Sequence, residues 1–200
     1  MNLLVVFEDN YNDIELVTPL SIWKKSNCFN KITFYHPNLK QIQGQFGYSL
    51  INTIENNINI NEYDLMFIPG GKAANTLRNN QISKDLISKF FSLNKGILAI
   101  CDAPNTLREF NVINDEKFTS YPSVWSSQYR IGENYTYNSV EISNKLITAK
   151  SANVKKRICL QSFKSLFWFW QNQRYISSYF RESRYNRIKI IIKKLVNLAF

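Results

Sequence analysis

The sequence has few of the residues on which several common classes of protein depend. Its three cysteines, Cys28, Cys101 and Cys159, are odd in number, widely spaced and without a CxxC pair, and there is one histidine. A disulfide framework and a zinc ribbon are therefore excluded. The sequence lacks any apolar run of about 18 residues, so no transmembrane helix is expected. Because GxGxxG and Walker patterns are also absent, we expect no cofactor.

The N-terminal segment also lacks the features of a targeting signal. MNLLVVFEDN has no basic region, and acidic residues interrupt its apolar run after Phe7. This pattern predicts a first strand and not a signal peptide. Together with the unpaired cysteines, it indicates a reducing compartment, and we expect a cytoplasmic location.

Net charge is unevenly distributed along the 200 residues. Of the 25 basic and 15 acidic residues, eleven basic and one acidic residue follow residue 154, which leaves 14 of each before it. The whole charge of +10 thus belongs to the C-terminal part. We predict a packed domain over residues 1–170 and a basic, aromatic-rich extension over residues 171–200. This extension could bind nucleic acid or an anionic membrane, or be a solvated or degenerate segment without a partner.

Short apolar runs alternate with segments of helical spacing, which predicts an α/β fold. Continuous apolar strands of this kind form a mostly parallel sheet covered on both faces, and ligands bind at the carboxyl ends of its strands. The predicted strands are Leu3–Phe7, Ile32–Tyr35, Asp64–Ile68 and Gly96–Ile100, with a further pair at Ser139–Ile142 and Leu146–Thr148. The predicted helices are Asp13–Lys25, Asn80–Leu93, a short one from Asn105, Val154–Trp170 and a cationic amphipathic one at Arg187–Phe200.

One cysteine lies at that edge of the predicted sheet. In GILAICDAPNTL, Cys101 ends an apolar strand and Pro104 suits the first turn of a following helix. A thiol at such a turn is exposed, and the helix N-terminus favours its thiolate. A free cysteine is equally typical of an apolar core, so the residues alone leave both interpretations open.

Several stretches in order resemble the ThiJ/PfpI (DJ-one) family of the glutamine amidotransferase-like superfamily. They are NDIELVTPLSIW, QGQFGYSL, YDLMFIPGG, GILAICDAP and KFTSYPS, and they extend over about residues 2–150. The resemblance implies a flavodoxin-like, three-layer α/β/α sandwich. It also implies that Cys101 is the nucleophile at the sharp turn between strand and helix, here called the elbow.

The resemblance assigns further roles to positions of this chain. Glu15 matches the acidic residue beside the elbow sulfur, where a protonated carboxyl donates a hydrogen bond to the thiolate. The backbone N–H groups of Gly71 and Asp102 match the positions that hold an oxyanion. The side chain of Asp102 is expected to be a partner of the helix dipole and not a base.

The sequence departs from the family pattern in its histidines. Hydrolytic members have histidine directly after the elbow cysteine, where this chain has Asp102, and other members often have it at the position of Tyr121. His36 ends the second predicted strand, where we expect a structural role. A Cys/His pair, and with it protease activity, is therefore not expected.

Two functions follow from the resemblance. One is a cofactor-free, glyoxalase III or deglycase-like enzyme in which Cys101 attacks a small reactive carbonyl such as methylglyoxal. The other is a redox sensor or stress-protective protein in which Cys101 is oxidised without turnover. The resemblance also implies a homodimer, and Cys28 and Cys159 are expected to be structural.

Overall fold

The computed structural model of the protein describes residues 1–151. The described chain contains nine strands, four α-helices and two short 3-10 helices at Ile60–Glu62 and Val124–Tyr129. The strands are β1 (Asn2–Val6), β2 (Lys31–Tyr35), β3 (Ile42–Gln43), β4 (Leu50–Ile51), β5 (Ile54–Glu55), β6 (Leu65–Ile68), β7 (Gly96–Ile100), β8 (Val140–Ser143) and β9 (Leu146–Ala149). The helices are α1 (Asp13–Ser26), α2 (Ala73–Leu77), α3 (Gln81–Ser92) and α4 (Ala103–Glu109).

Seven of these strands form one mostly parallel sheet. Its strand order is β5-β2-β1-β6-β7-β9-β8, and only the edge pair β8 and β9 is antiparallel. The central strands β1, β6 and β7 are neighbours in parallel, as the sequence predicts. Strands β3 and β4 form a separate two-stranded hairpin. The parallel arrangement brings the ends of β1, β6 and β7 to one edge of the sheet.

Alternate residues of the central strands face opposite layers of helix, which makes the fold a three-layer sandwich. On one face, Met66 of β6 packs in a cluster with Ile87 and Phe90 of α3 and Leu107 of α4. On the other face, the ring of Phe67 meets the ring of Trp23 of α1 edge to face, with centroids 5.1 Å apart. Burial of both faces explains why these strands are apolar throughout.

The predicted α/β class and flavodoxin-like architecture are confirmed, and the element bounds agree to within two residues. The sequence analysis missed β3, β4, β5 and α2, because each has only two to five residues and too little periodicity to be recognised. The predicted helices at Val154–Trp170 and Arg187–Phe200 lie outside the described residues, as does Cys159. The division at residue 170 and the roles suggested for the extension stay predictions.

Within residues 1–151, no helix combines the length and apolar character needed to cross a membrane.

We expect the apolar layer beneath α1 to dominate the stability of the sheet on that side. The Trp23 side chain is 1% exposed and contacts the rings of Phe29 and Phe67. Trp23→Ala should lower the free energy of unfolding by about 3–5 kcal/mol, since it leaves a large cavity. Tyr48→Ala, at a side chain that is 91% exposed, is the control and should change it by less than about 0.5 kcal/mol. Urea denaturation measures both, and equal losses would contradict this description of the core.

Candidate active site

Cys101 occupies the turn between β7 and α4 in an unusual backbone conformation. Its φ is +64°, in the left-handed region that non-glycine residues seldom adopt. The surrounding chain fixes this conformation: the Cys101 N–H donates to the Ala149 carbonyl at 2.8 Å, and the Cys101 carbonyl accepts from the Tyr121 N–H at 2.7 Å. Such strain, of about 1–3 kcal/mol, persists only where neighbouring contacts determine it, and it is concentrated at functional sites.

Two backbone N–H groups are directed at the Cys101 sulfur. They belong to Gly71 and Asp102, the two residues that the resemblance matches to oxyanion positions. Gly71 lies after the end of β6 with φ +90°, and a Cβ there would come within 2.4 Å of the Asn12 nitrogen. Glycine is therefore needed for this N–H to reach the sulfur. Donors that meet at one point can stabilise a thiolate or an oxyanion formed beside it.

The first turn of α1 carries Glu15 to the same place. The Asn12 side chain caps the helix by accepting from the Ile14 and Glu15 N–H groups, and the Asn12 N–H donates to the Gly70 carbonyl at 3.1 Å. Glu15 is 2% exposed, and its Oε2 accepts a 3.1 Å hydrogen bond from the Gly70 N–H. These contacts hold the start of the helix against the turn that follows β6.

The Glu15 carboxyl forms a hydrogen bond with the Cys101 thiol. The approach requires glycine at residue 70, since a Cβ there would lie 2.5 Å from the Cys101 Cβ and 2.8 Å from Glu15 Oε2. The structure thus brings together Cys101, Glu15, Gly71 and Asp102, the four residues that the sequence singled out. Their catalytic roles stay predictions.

The electrostatics of the thiol differ from the sequence-based expectation of an exposed, acidic cysteine. Cys101 is only 9% exposed, and burial raises its pKa well above the ordinary value. The Glu15 carboxylate raises the pKa further, and the N–H groups of Gly71 and Asp102 offset this only in part. Two acidic groups in contact in a buried site cannot readily both ionise, so the pair shares one proton. Glu15 is accordingly placed to take the thiol proton when the sulfur forms a bond.

The Asp102 side chain is committed to other contacts and does not cap α4. Asp102 is 2% exposed. Its carboxylate accepts hydrogen bonds of 2.6–3.0 Å from five side chains: Arg78, Asn105, Ser123, Trp125 and Ser126. Burial acts to raise the pKa of Asp102, but these hydrogen bonds and the Arg78 charge outweigh it, so the pKa lies below its usual value. Hydrogen bonds to both oxygens leave neither one free to act as a general base, and the expected role of Asp102 beside the helix dipole stays a prediction.

His36 has a structural role, as predicted. Its Nδ1 accepts from the N–H groups of Asn38 and Leu39, so Nε2 carries the hydrogen and donates to the buried Glu8 carboxylate at 2.9 Å. Asn80 donates to the other oxygen of Glu8. All polar atoms of the ring are therefore occupied, and no Cys/His pair exists in the described chain.

Cys28 lies away from this site and is half-buried, and burial raises its pKa to about 11. Its thiol donates to the Trp23 carbonyl at 3.6 Å. Residues 1–151 contain no group of three or more histidine, cysteine or acidic side chains that could hold a metal ion.

Sequence reasoning missed the side chains that surround the elbow. Arg78 and Trp125 are separated from Asp102 by more than 20 residues, and nothing in the local pattern connects them to it. Trp125 is 59% exposed although its indole N–H donates to Asp102 Oδ2, and Tyr121, four residues earlier in the chain, is 44% exposed. The one signal in the sequence is the acidic residue directly after the cysteine. Its negative charge beside a nucleophile calls for a cation, and Arg78 is the cation that the fold supplies.

The fold and the site together define a class: a flavodoxin-like α/β protein with a cysteine at a strained turn, a buried carboxyl beside its sulfur and two N–H groups directed at it. The model of the DJ-1/PfpI family matches residues 1–164, and the chain belongs to this family.

Relatives share sequence with this chain, and a solved structure shares its fold. The uncharacterized protein MG029 of Mycoplasma genitalium is 34% identical over 152 residues, which are 75% of this chain and 80% of that protein. The deglycase PfpI of Pyrococcus furiosus is 24% identical over 151 residues, 75% of this chain and 90% of that protein. The crystal structure of Drosophila melanogaster DJ-1beta superposes with a TM-score of 0.73 at 19% identity, covering 98% of this chain and 97% of that one.

The contact between Glu15 and Cys101 predicts that Cys101 becomes more reactive toward an alkylating reagent when the Glu15 carboxyl is removed. Glu15→Gln removes the carboxylate that raises the pKa of the thiol. The thiolate fraction at pH 8 should increase, and iodoacetamide should alkylate Cys101 at least about tenfold faster, which corresponds to one pKa unit. Peptide mass spectrometry resolves the rate at each cysteine, with Cys28 as the internal control. A slower reaction of Cys101 would show that Glu15 stabilises the thiolate instead.

Proposed function

We propose that the protein is a cofactor-free enzyme that acts on small reactive carbonyl compounds, of the glyoxalase III or deglycase type. The observation that carries the proposal is the single constellation at Cys101: a nucleophile, a proton acceptor at Glu15 and two N–H donors at one point. Relatives named deglycases, at about 24% identity, support the same class of chemistry. Methylglyoxal is the substrate we propose to test.

The first step forms a bond between sulfur and carbon. Glu15 takes the thiol proton while the Cys101 sulfur attacks the aldehyde carbon, and the electrons of the carbonyl bond move to its oxygen. The N–H groups of Gly71 and Asp102 stabilise this oxyanion. Return of the proton from Glu15 to the oxygen gives a neutral hemithioacetal. Because burial and the Glu15 carboxylate raise the pKa of the thiol, the mechanism needs a proton acceptor in contact with it, and Glu15 meets that requirement.

The following steps are an internal oxidation and reduction with no external oxidant. The hydrogen on the hemithioacetal carbon leaves as a proton, its electron pair forms a double bond to the adjacent ketone carbon, and the ketone oxygen takes a proton, which gives an enediol. A proton then adds to the former ketone carbon, and the hydroxyl on the first carbon loses its proton as its carbonyl bond forms. The first carbon is thereby oxidised to a thioester and the second is reduced to an alcohol. Water then cleaves the thioester, which releases lactate and restores the thiol. Methylglyoxal and one water thus give one lactate.

Lactate formation from methylglyoxal without glutathione tests this proposal. Wild type should produce lactate, whereas Cys101→Ala should lose at least about a hundredfold, because no covalent intermediate can form. Cys28→Ala is the matched control, since it removes a thiol remote from the constellation, and it should keep the wild-type rate. Equal rates in wild type and Cys101→Ala would rule out this function.

A redox role is the second candidate, and the same two N–H donors favour it. A sulfinate at Cys101 would carry negative oxygens where Gly71 and Asp102 direct their N–H groups. Raised pKa and low exposure of the thiol oppose rapid attack on peroxide, which is why turnover is the first proposal. A homodimer, a cytoplasmic location and contacts of the basic extension stay predictions.

The order of oxidation tests the redox candidate. In protein treated with hydrogen peroxide, mass spectrometry should find added oxygen at Cys101 before Cys28, because the two N–H groups stabilise the oxidised anion at Cys101 alone of these two residues. Cys101→Ala provides the background level of oxidation at Cys28. Oxidation of Cys28 at the same rate as Cys101 would count against a sensor role.

A further inference from the structure

A cluster of side chains joins three separate segments to the residue that follows the nucleophile. Asp102 Oδ1 accepts from Asn105, Ser123 and Ser126, and Oδ2 accepts from Arg78 and Trp125. These donors come from the end of α2, from α4 and from the segment of the 3-10 helix at Val124–Tyr129. The Asp102 side chain is therefore fixed from three directions, and the Asp102 N–H is one of the two directed at the Cys101 sulfur.

Arg78 supplies the positive charge in this cluster. Its side chain is 13% exposed, and its guanidinium lies 2.9 Å from Asp102 Oδ2. It also donates to Glu109 at 2.7 Å, to Ser126 Oγ at 2.7 Å and to the Ala74 carbonyl at 3.0 Å. An arginine with so many fixed partners is held in one position, unlike the mobile arginine of a surface ion pair.

The negative charge of Asp102 disfavours a second negative charge on the neighbouring sulfur, and the Arg78 guanidinium compensates it. Consecutive Cα atoms are about 3.8 Å apart, so a carboxylate at residue 102 lies well within electrostatic range of the Cys101 sulfur. An uncompensated negative charge there would oppose formation of the thiolate and of the oxyanion. A neighbouring guanidinium turns that charge into an ion pair whose field at the sulfur is small.

We infer that Arg78 is a positioning residue of the Cys101 site, which holds the Asp102 side chain, and with it the Asp102 N–H, and compensates the negative charge beside the nucleophile. The inference deepens the proposed function and rests on it only in that both use the Cys101 thiol. It assigns to Arg78 and Asp102 a paired role next to the cysteine, which neither residue could have alone.

Other charged groups also face the sulfur or its neighbours. Glu15 approaches from α1, Glu109 lies behind Arg78 on α4, and Arg130 donates to the Ser123 and Tyr121 carbonyls. All three remain unchanged in Arg78→Met and in the double variant, so a difference in thiol reactivity between those two proteins and wild type reports on the Arg78–Asp102 pair.

The test compares Cys101 alkylation by iodoacetamide in the full chain, between pH 7 and pH 9, for Arg78→Met and for the double variant Arg78→Met with Asp102→Asn. In Arg78→Met, four hydrogen bonds still keep Asp102 ionised, so the thiol pKa should rise by about one unit and the rate at fixed pH should fall about tenfold. In the double variant both charges are gone, and the rate should return to within about threefold of wild type.

A matched control separates charge compensation from loss of packing. Glu109→Gln removes the negative charge of another partner of Arg78, at a side chain that is 30% exposed, and should leave the rate within about threefold of wild type. Thermal unfolding of each variant is followed in parallel. A merely structural role for Arg78 would lower the melting temperature without a selective effect of Asp102→Asn on the rate.

Several results would overturn the inference. They are an unchanged or faster Cys101 rate in Arg78→Met, or a double variant slower than that single variant. If Arg78→Met does not fold, the double variant alone decides, because a rate more than about tenfold below wild type contradicts the inference. A failure of the proposed function can be distinguished from a failure of this inference. In that case wild type would produce no lactate, while the alkylation rates of all variants would still follow the expected pattern.

Discussion

The structure of the site depends on one strained residue, Cys101, whose backbone is left-handed although it is not glycine. The turn gives the sulfur its place above the end of β7, and the chain direction that it creates carries the Asp102 N–H back toward that sulfur. The Ala149 and Tyr121 backbones hold the turn from both sides. Parallel strands β6, β7 and β9 put these groups next to each other, so the fold itself maintains the strain.

Two negative groups lie next to the thiol, and the structure treats them in opposite ways. Asp102 is fixed by five donors, one of which is the Arg78 guanidinium, and these contacts lower its pKa and occupy both of its oxygens. Glu15 shares a hydrogen bond with the thiol itself, where the proton can pass between oxygen and sulfur. The high pKa of the resting thiol is therefore compatible with catalysis, because the acceptor for its proton is already in contact with it.

The sequence predicted the fold and the proximity of the four candidate residues, for identifiable reasons. Continuous apolar strands such as Gly96–Ile100 have one stable arrangement, a parallel sheet buried on both faces, and the resemblance located Glu15, Gly71 and Asp102 around Cys101. The burial of the thiol was missed, because it results from the approach of α1 and not from any local pattern. Arg78 was missed for the same reason: the contact between residues 78 and 102 exists only after the chain has folded.

The aspartate after the cysteine also explains how this chain manages without a histidine at the elbow. A histidine at that position could accept the thiol proton. Both oxygens of Asp102 instead accept hydrogen bonds that order the segment around Trp125. In the mechanism that we propose, Glu15 transfers the proton, while Asp102 contributes its N–H group at the sulfur and its carboxylate as an anchor for the surrounding side chains. The two carboxylates beside the cysteine thus differ in the task proposed for them, proton transfer for Glu15 and ordering of the neighbouring side chains for Asp102. The environment of each carboxylate determines which task it can perform.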